Sequence, residues 1–241
     1  MSNSAFAHLI MLSPNHSGKR THAIDRITPH CVVGQATAKR IGEIFASVQR
    51  KGSCNYGIGV DGSVVLIVDE ANRSWCSSSE ANDQRAVTIE CASDSTDPFA
   101  MTDAVYLSLI NLCADICRRN GKSQLVFIPT KRKALEYTPA ANEMQITLHK
   151  WFANKACPGK WLIDRLPDMV ARVNAKLQRG IPYKVKCCTA GAIFDITGAC
   201  VNNYQPGVYT IVSEVVIGKH NMGELKSGAG YIILDNLEIV G

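Results

Sequence analysis

The chain has 241 residues, 46% hydrophobic and 20% charged, with a formal charge of +5. That length admits one large domain or two unequal ones, and the apolar content is enough for a core without staples. The positive excess lies wholly in residues 1–178, because residues 179–241 carry five basic and five acidic side chains. Such a balance suits an anionic polymer without demanding one, and the lack of Lys/Arg-rich runs or interleaved aromatic and basic residues speaks against nucleic acid.

The ten cysteines do not read as a disulfide framework in a chain of this size. Cys31, Cys76, Cys91, Cys113 and Cys117 fall in apolar or strand-like runs, as free thiols used as small core residues do. The apolar run AFAHLIML near the start has no basic residues before it and no small-residue cleavage site after it, so no signal peptide is expected. Nothing reaches transmembrane length. The expectation is synthesis in a reducing cytosol, with no membrane insertion.

Taken in order, IDRITPHCVV (24–33) reads as a strand, and its proline places it near an edge or bulge. A short helix is expected over 36–48. GSCNYGIGVDG (52–62) followed by SVVLIV (63–68) is a hairpin around an Asp-Gly turn. SSSEANDQ (77–84) reads as loop and RAVTIECAS (85–93) as a strand carrying Glu90. Asp97-Pro98 is expected to open a helix that stops at Asn120-Gly121, with Val105, Leu109, Leu112, Cys113 and Ile116 as its apolar stripe. QLVFIP (124–129) is a strand, TKRKALEYTPAANEMQ a long polar loop, and residues 161–178 a helix with Leu162, Leu166, Met169, Val170, Val173 and Leu177 at helical spacing. Strands alternating with helices predict an α/β layer fold. Beyond the RGIP linker the pattern changes to short strands with Gly, Asn and Pro turns, so residues 183–241 are expected to form a small all-β domain.

HKWFANKACPG (149–159) supplies an imidazole at His149, a thiol at Cys157 and an ammonium at Lys155. Pro-Gly after Cys157 puts the thiol on a loop, so the two ligand types can converge on one ion without sharing a helix face. Zinc accepts both, and a catalytic zinc needs a third protein ligand with the fourth position open.

Four stretches in this order carry a resemblance: HCVVGQ (30–35), SCNYGIGVDG (53–62), NDQRAVTIE (82–90) and HKWFANKACPG (149–159). Over about residues 20–178 the chain resembles the zinc N-acetylmuramoyl-L-alanine amidases, the endolysins and autolysins related to peptidoglycan-recognition proteins. The tail resembles a bacterial Src-homology-3-like wall-binding barrel. The resemblance implies a mixed central β-sheet flanked by helices in a catalytic domain over 1–178, and a wall-binding domain over 183–241. It further implies one zinc ion on His30, His149 and Cys157, with Glu90 and Lys155 catalytic and Asn82, Arg85 and Trp75 along the substrate groove. The implied reaction is hydrolysis of the muramoyl–L-alanine amide of peptidoglycan by zinc-activated water, with a holin as the exit route. His22 is a rival to His30, and His16 and His220 read as surface residues. Cys54 stands where many relatives have a tyrosine, Tyr56 is left without a catalytic role, and Cys31 is expected to pack on the opposite face from His30. Cys113 and Cys117 read as buried stripe, and Cys187 and Cys188 as facing opposite ways. Two other readings remain at this point: a recognition module that holds muropeptide without cleaving it, and a structural zinc protein with Cys54 or Cys31 as fourth ligand.

Overall fold

Seven strands form the central sheet of the first of two units into which the chain divides, residues 1–177 and 178–241. The structure, a computed structural model, describes residues 2–218, 220–235 and 237–240; Lys219, Asn236 and Gly241 of the expected tail domain lie outside them. In chain order the first unit contains β1 (Ala7–Ile10), β2 (His16–Lys19), β3 (Arg26–Cys31), α1 (Ala38–Phe45), β4 (Tyr56–Ile58), β5 (Val64–Leu66), β6 (Asn72–Ser74), α2 (Glu80–Asp83), β7 (Ala86–Cys91), α3 (Asp103–Arg119), β8 (Gln124–Phe127), α4 (Lys131–Glu136), β9 (Glu143–Ile146) and most of α5 (Lys160–Arg179). The sheet order is β1-β5-β4-β7-β3-β9-β8. Strands β4, β7, β3, β9 and β8 run parallel, and β5 turns back antiparallel to β4 through the expected Asp-Gly hairpin.

Both faces of this sheet are covered, which is why β3 is buried at every position. Helix α1 closes one face, packing Ile41 and Phe45 against Cys54, Val65 and Ile67. Helices α3 and α5 close the other, where Leu109, Leu112, Ile116, Leu162, Leu166 and Val173 meet Ile27, Tyr56, Val87 and Ile89.

The sequence expectations need four corrections here. Strand β3 is central, not near an edge. Pro29 is tolerated because β9 pairs with β3 only at Arg26 and Ile27, so no partner awaits the missing N–H on that side. Helix α3 starts at Asp103, capped by Thr102, rather than at Pro98; the left-handed φ of +59° at Phe99 cannot continue a helix. The polar stretch 130–145 is ordered as α4 and β9 rather than loop, and 77–84 contains α2. The apolar run near the start is β1, on the sheet's edge beside β5.

The second unit holds β10 (Tyr183–Cys187), β11 (Gly191–Phe194), β12 (Cys200–Tyr204), β13 (Gly207–Ile217), β14 (His220–Leu225), β15 (Tyr231–Ile233) and β16 (Glu238–Val240). They pair antiparallel in the order β12-β11-β15-β14-β13-β10-β16. Its core is Tyr183, Val185, Cys187, Ile193, Ile211, Leu225 and Ile232. Within it buried Glu214 accepts a hydrogen bond from the Tyr183 hydroxyl (2.8 Å) and pairs with Arg179. No helix among the described residues is long and apolar enough to cross a membrane.

Candidate active site

Parallel strands β3 and β7 set His30 directly beside Glu90 at their carboxyl ends, the end at which parallel sheets bind ligands. A single 3-10 turn after β9, His149–Trp151, presents His149. It is anchored by Trp151, whose ring stacks on Phe127 at 6.3 Å. The following loop folds back through a bond from the Lys150 N–H to the Cys157 carbonyl (3.2 Å). Gly159, at φ +93°, lets that loop pass beside Phe99, where a Cβ would stand 2.8 Å from the Phe99 Cβ.

His30, His149 and Cys157 then bring one ligand atom each to within 4.8 Å of one another. The Cys157 sulfur is 3.4 Å from His30 Nδ1, and the two imidazole rings are 4.9 Å apart. Two nitrogens and a sulfur match zinc, whose bond lengths of about 2.0–2.1 and 2.3 Å give an N···S tetrahedral edge of about 3.6 Å. The residues therefore fit that ion. Burial and then His149 lower the His30 pKa to about 3, and burial and then Lys155 lower that of His149, so both rings are neutral donors at pH 7. The adjacent Cys31 thiol and burial push the Cys157 thiol up, a shift that a coordinated divalent cation reverses.

Glu90 forms the floor of the same pocket. Burial, then the Cys31 charge, raise its pKa to about 8; its Oε1 is 3.9 Å from the Cys76 sulfur, and its Oε2 has no hydrogen-bond partner. Exposed Lys155 lies on the pocket wall with Val33, Ser95, Phe99 and Ala156.

Of the eight residues singled out from sequence, five meet here. The other three lie elsewhere. Asn82 is buried, its amide donating to Thr28 (3.0 Å) and Ser77 (3.2 Å) and accepting from Arg26 (3.2 Å) and Thr147 (3.1 Å). Arg85 is held by Asp25. Both precede β7, whereas Glu90 is near its far end, so about four residues of strand, roughly 13 Å, separate them from the pocket. Trp75 is 38% exposed and donates its indole N–H to Ser17 (2.6 Å); it does not line the pocket. His22 is exposed and bonded to Thr21, outside the ligand groups found among the described residues. His220, on β14, pairs with Asp235 at 2.7 Å.

Cys31 packs in the core with Ile27 and Cys91 as expected, and because it stands at the end of β3 it also lines the pocket beside Cys157. Cys76 and Ser78 were missed; the Ser78 hydroxyl is 3.2 Å from His149 Nε2. They come from a serine-rich loop whose composition carries no signal of a site. Tyr56 is buried, donating its hydroxyl to Glu70 at 2.6 Å, a structural role. Cys54 is buried against α1, where burial and then the Glu90 charge raise its pKa.

With fold and site described, the comparisons give the family. The family model for N-acetylmuramoyl-L-alanine amidases matches residues 20–160, more than half of the chain, and the chain belongs to that family. It is a peptidoglycan amidase, an enzyme that cleaves the amide between N-acetylmuramic acid and L-alanine. Among solved structures, a mutant endolysin from Bacillus subtilis is 14% identical with a TM-score of 0.50, covering 68% of this chain and 97% of that one. An endolysin N-acetylmuramoyl-L-alanine amidase from Clostridium intestinale is 18% identical with a TM-score of 0.46, covering 70% of this chain and 98% of that one. The first of these shows a shared fold. No curated protein matches the chain.

Proposed function

We propose that the amidase works with one zinc ion held by His30, His149 and Cys157. The observation that carries this reading is the convergence of two neutral imidazoles and a thiol to within 4.8 Å beside a half-buried carboxylate on the neighbouring strand. Zinc there supplies a Lewis acid that polarises the scissile carbonyl and makes water nucleophilic near pH 7.

The chain's own residues do the rest. Glu90, half-buried and with one buried oxygen unpartnered, accepts the proton of the attacking water and delivers it to the departing alanine amine. Burial raises the Glu90 pKa, which favours the acid form that delivers the proton, and a divalent cation beside it would favour the carboxylate that first accepts it. Lys155, exposed on the pocket wall, offsets the negative charge that develops on the carbonyl oxygen. The Cys31 sulfur does not join the group of mutually close ligand atoms, which supports an open fourth position and weighs against a closed structural site.

The catalytic domain is read as residues 1–178. The antiparallel tail, 183–241, is read as a Src-homology-3-like wall-binding module, and the whole as an endolysin or autolysin that reaches the wall by way of a holin or on lysis.

The test is direct. Purified protein should hold one zinc per chain, and digestion of peptidoglycan should raise N-terminal alanine alone, with sugar reducing ends unchanged. His149→Ala should lose the metal. Glu90→Gln should fold, keep metal and cleave ~10²-fold or more slowly; cleavage at the wild-type rate would refute the proton-transfer role. Binding of muropeptide with no release of alanine amine would favour a recognition module instead.

A further inference from the structure

Four described residues other than glycine have a left-handed φ: Val33 (+59°), Lys51 (+49°), Ser78 (+61°) and Phe99 (+59°). Three of them surround one site. Val33 and Phe99 line the pocket, and Ser78 bonds His149. A β-branched residue in this region is a steric outlier, and Val33 is the extreme case because its side chain is also 51% exposed. It has no core to fill, and glycine or asparagine would adopt its backbone conformation without that strain.

The conformation is imposed from both sides. The Val32 N–H bonds to the Cys91 carbonyl (2.9 Å), and the Gly34 carbonyl accepts from the Ser93 N–H (3.0 Å). The chain leaving β3 is thus clamped to the chain leaving β7, and the residue between the clamps must turn. The turn aims an isopropyl group into a pocket otherwise lined by the ligand set, Glu90, Lys155 and Ser95. Its other apolar walls are Phe99 and Ala156. Strain kept at such a position marks a functional constraint.

We propose that Val33, with Phe99 beside it, is a specificity-determining contact for the methyl groups that flank the scissile amide. This rests on the amidase reading above. The substrate offers two such groups, the lactyl methyl on the acyl side and the L-alanine methyl on the amine side. Either would bury against an isopropyl wall that is open to solvent in the free enzyme. One methyl in an apolar pocket is worth ~10- to 200-fold in selectivity.

The experiment compares kcat/KM for wild type, Val33→Gly and Val33→Asn on three probes. These are an N-acetylmuramoyl-L-alanyl peptide, its glycyl analogue, and an analogue with a glycolyl group in place of the lactyl group. Wild type should prefer the parent over at least one analogue by ~10-fold or more, and that ratio should fall toward one in both variants. The analogue that shows the loss identifies which methyl Val33 meets. Both variants should melt no lower than wild type, because they relieve the strained turn. Selectivity ratios unchanged from wild type in both arms overturn the proposal. A wild type that cleaves none of the three overturns the amidase reading with it, whereas full cleavage with unchanged ratios overturns this inference alone.

Discussion

Glu90 shows at the level of one side chain how position sets chemistry. Its neighbour in register is His30, and its burial holds the carboxyl at about 8 against an ordinary 4.5. In the metal-free protein the folded chain therefore keeps a proton that the unfolded chain gives up between those pH values. Stability then falls as pH rises from 4.5 to 8, and this group contributes no slope below that window. Glu90→Gln has nothing to titrate, so the urea midpoint of metal-free wild type should drop relative to the variant across that window; parallel curves would show that Glu90 is already ionised. Asn82 and Arg85 show the converse. Their residue types suit a groove, but their hydrogen bonds to Thr28, Thr147 and Asp25 consume the groups that a substrate would need.

Between elements, the sheet is tied to α3 by an ion pair that no sequence pattern announced. Arg119 gives two hydrogen bonds to Glu70 (2.9 and 2.6 Å), and Glu70 is fully buried and also receives the Tyr56 hydroxyl. The arginine joins the last turn of α3 to the chain between β5 and β6. Arg119→Ala leaves a buried carboxylate without its cation and should cost about 3–5 kcal/mol in chemical unfolding. An unchanged midpoint would mean that Glu70 takes up a proton instead. Strand β9 was hidden for a related reason. Its polar Gln145 is buried, donating to the Ala134 carbonyl at 2.7 Å, so a segment rich in polar residues packs like a core strand once α4 supplies an acceptor.

For the whole molecule, the division at residues 177 and 178 and the separate cores of the two units predict separable activities. Residues 1–178 alone should cleave soluble muropeptide at a rate near that of the full chain but bind intact walls poorly. Residues 183–241 alone, with four basic and five acidic side chains, should bind walls with little dependence on salt. Loss of that binding between low and physiological salt would indicate a charge-driven contact, and equal wall binding by residues 1–178 would remove the targeting role.

What the sequence determined by itself was local or periodic. The Asp-Gly hairpin, the apolar stripes of α3 and α5, the change to short strands after residue 180 and the motif around His149 are legible because each is specified within a few residues. The five residues that meet in the pocket were identified through the family resemblance that the four stretches at 30–35, 53–62, 82–90 and 149–159 carry. Tertiary structure alone decided which other side chains join them. Cys31 and Cys157 are 126 positions apart in the chain, and they meet because a strand end and a loop return to one place. The same holds for the clamp on Val33 and for the central placement of Pro29, since pairing between strands distant in sequence leaves no trace in the spacing of either one.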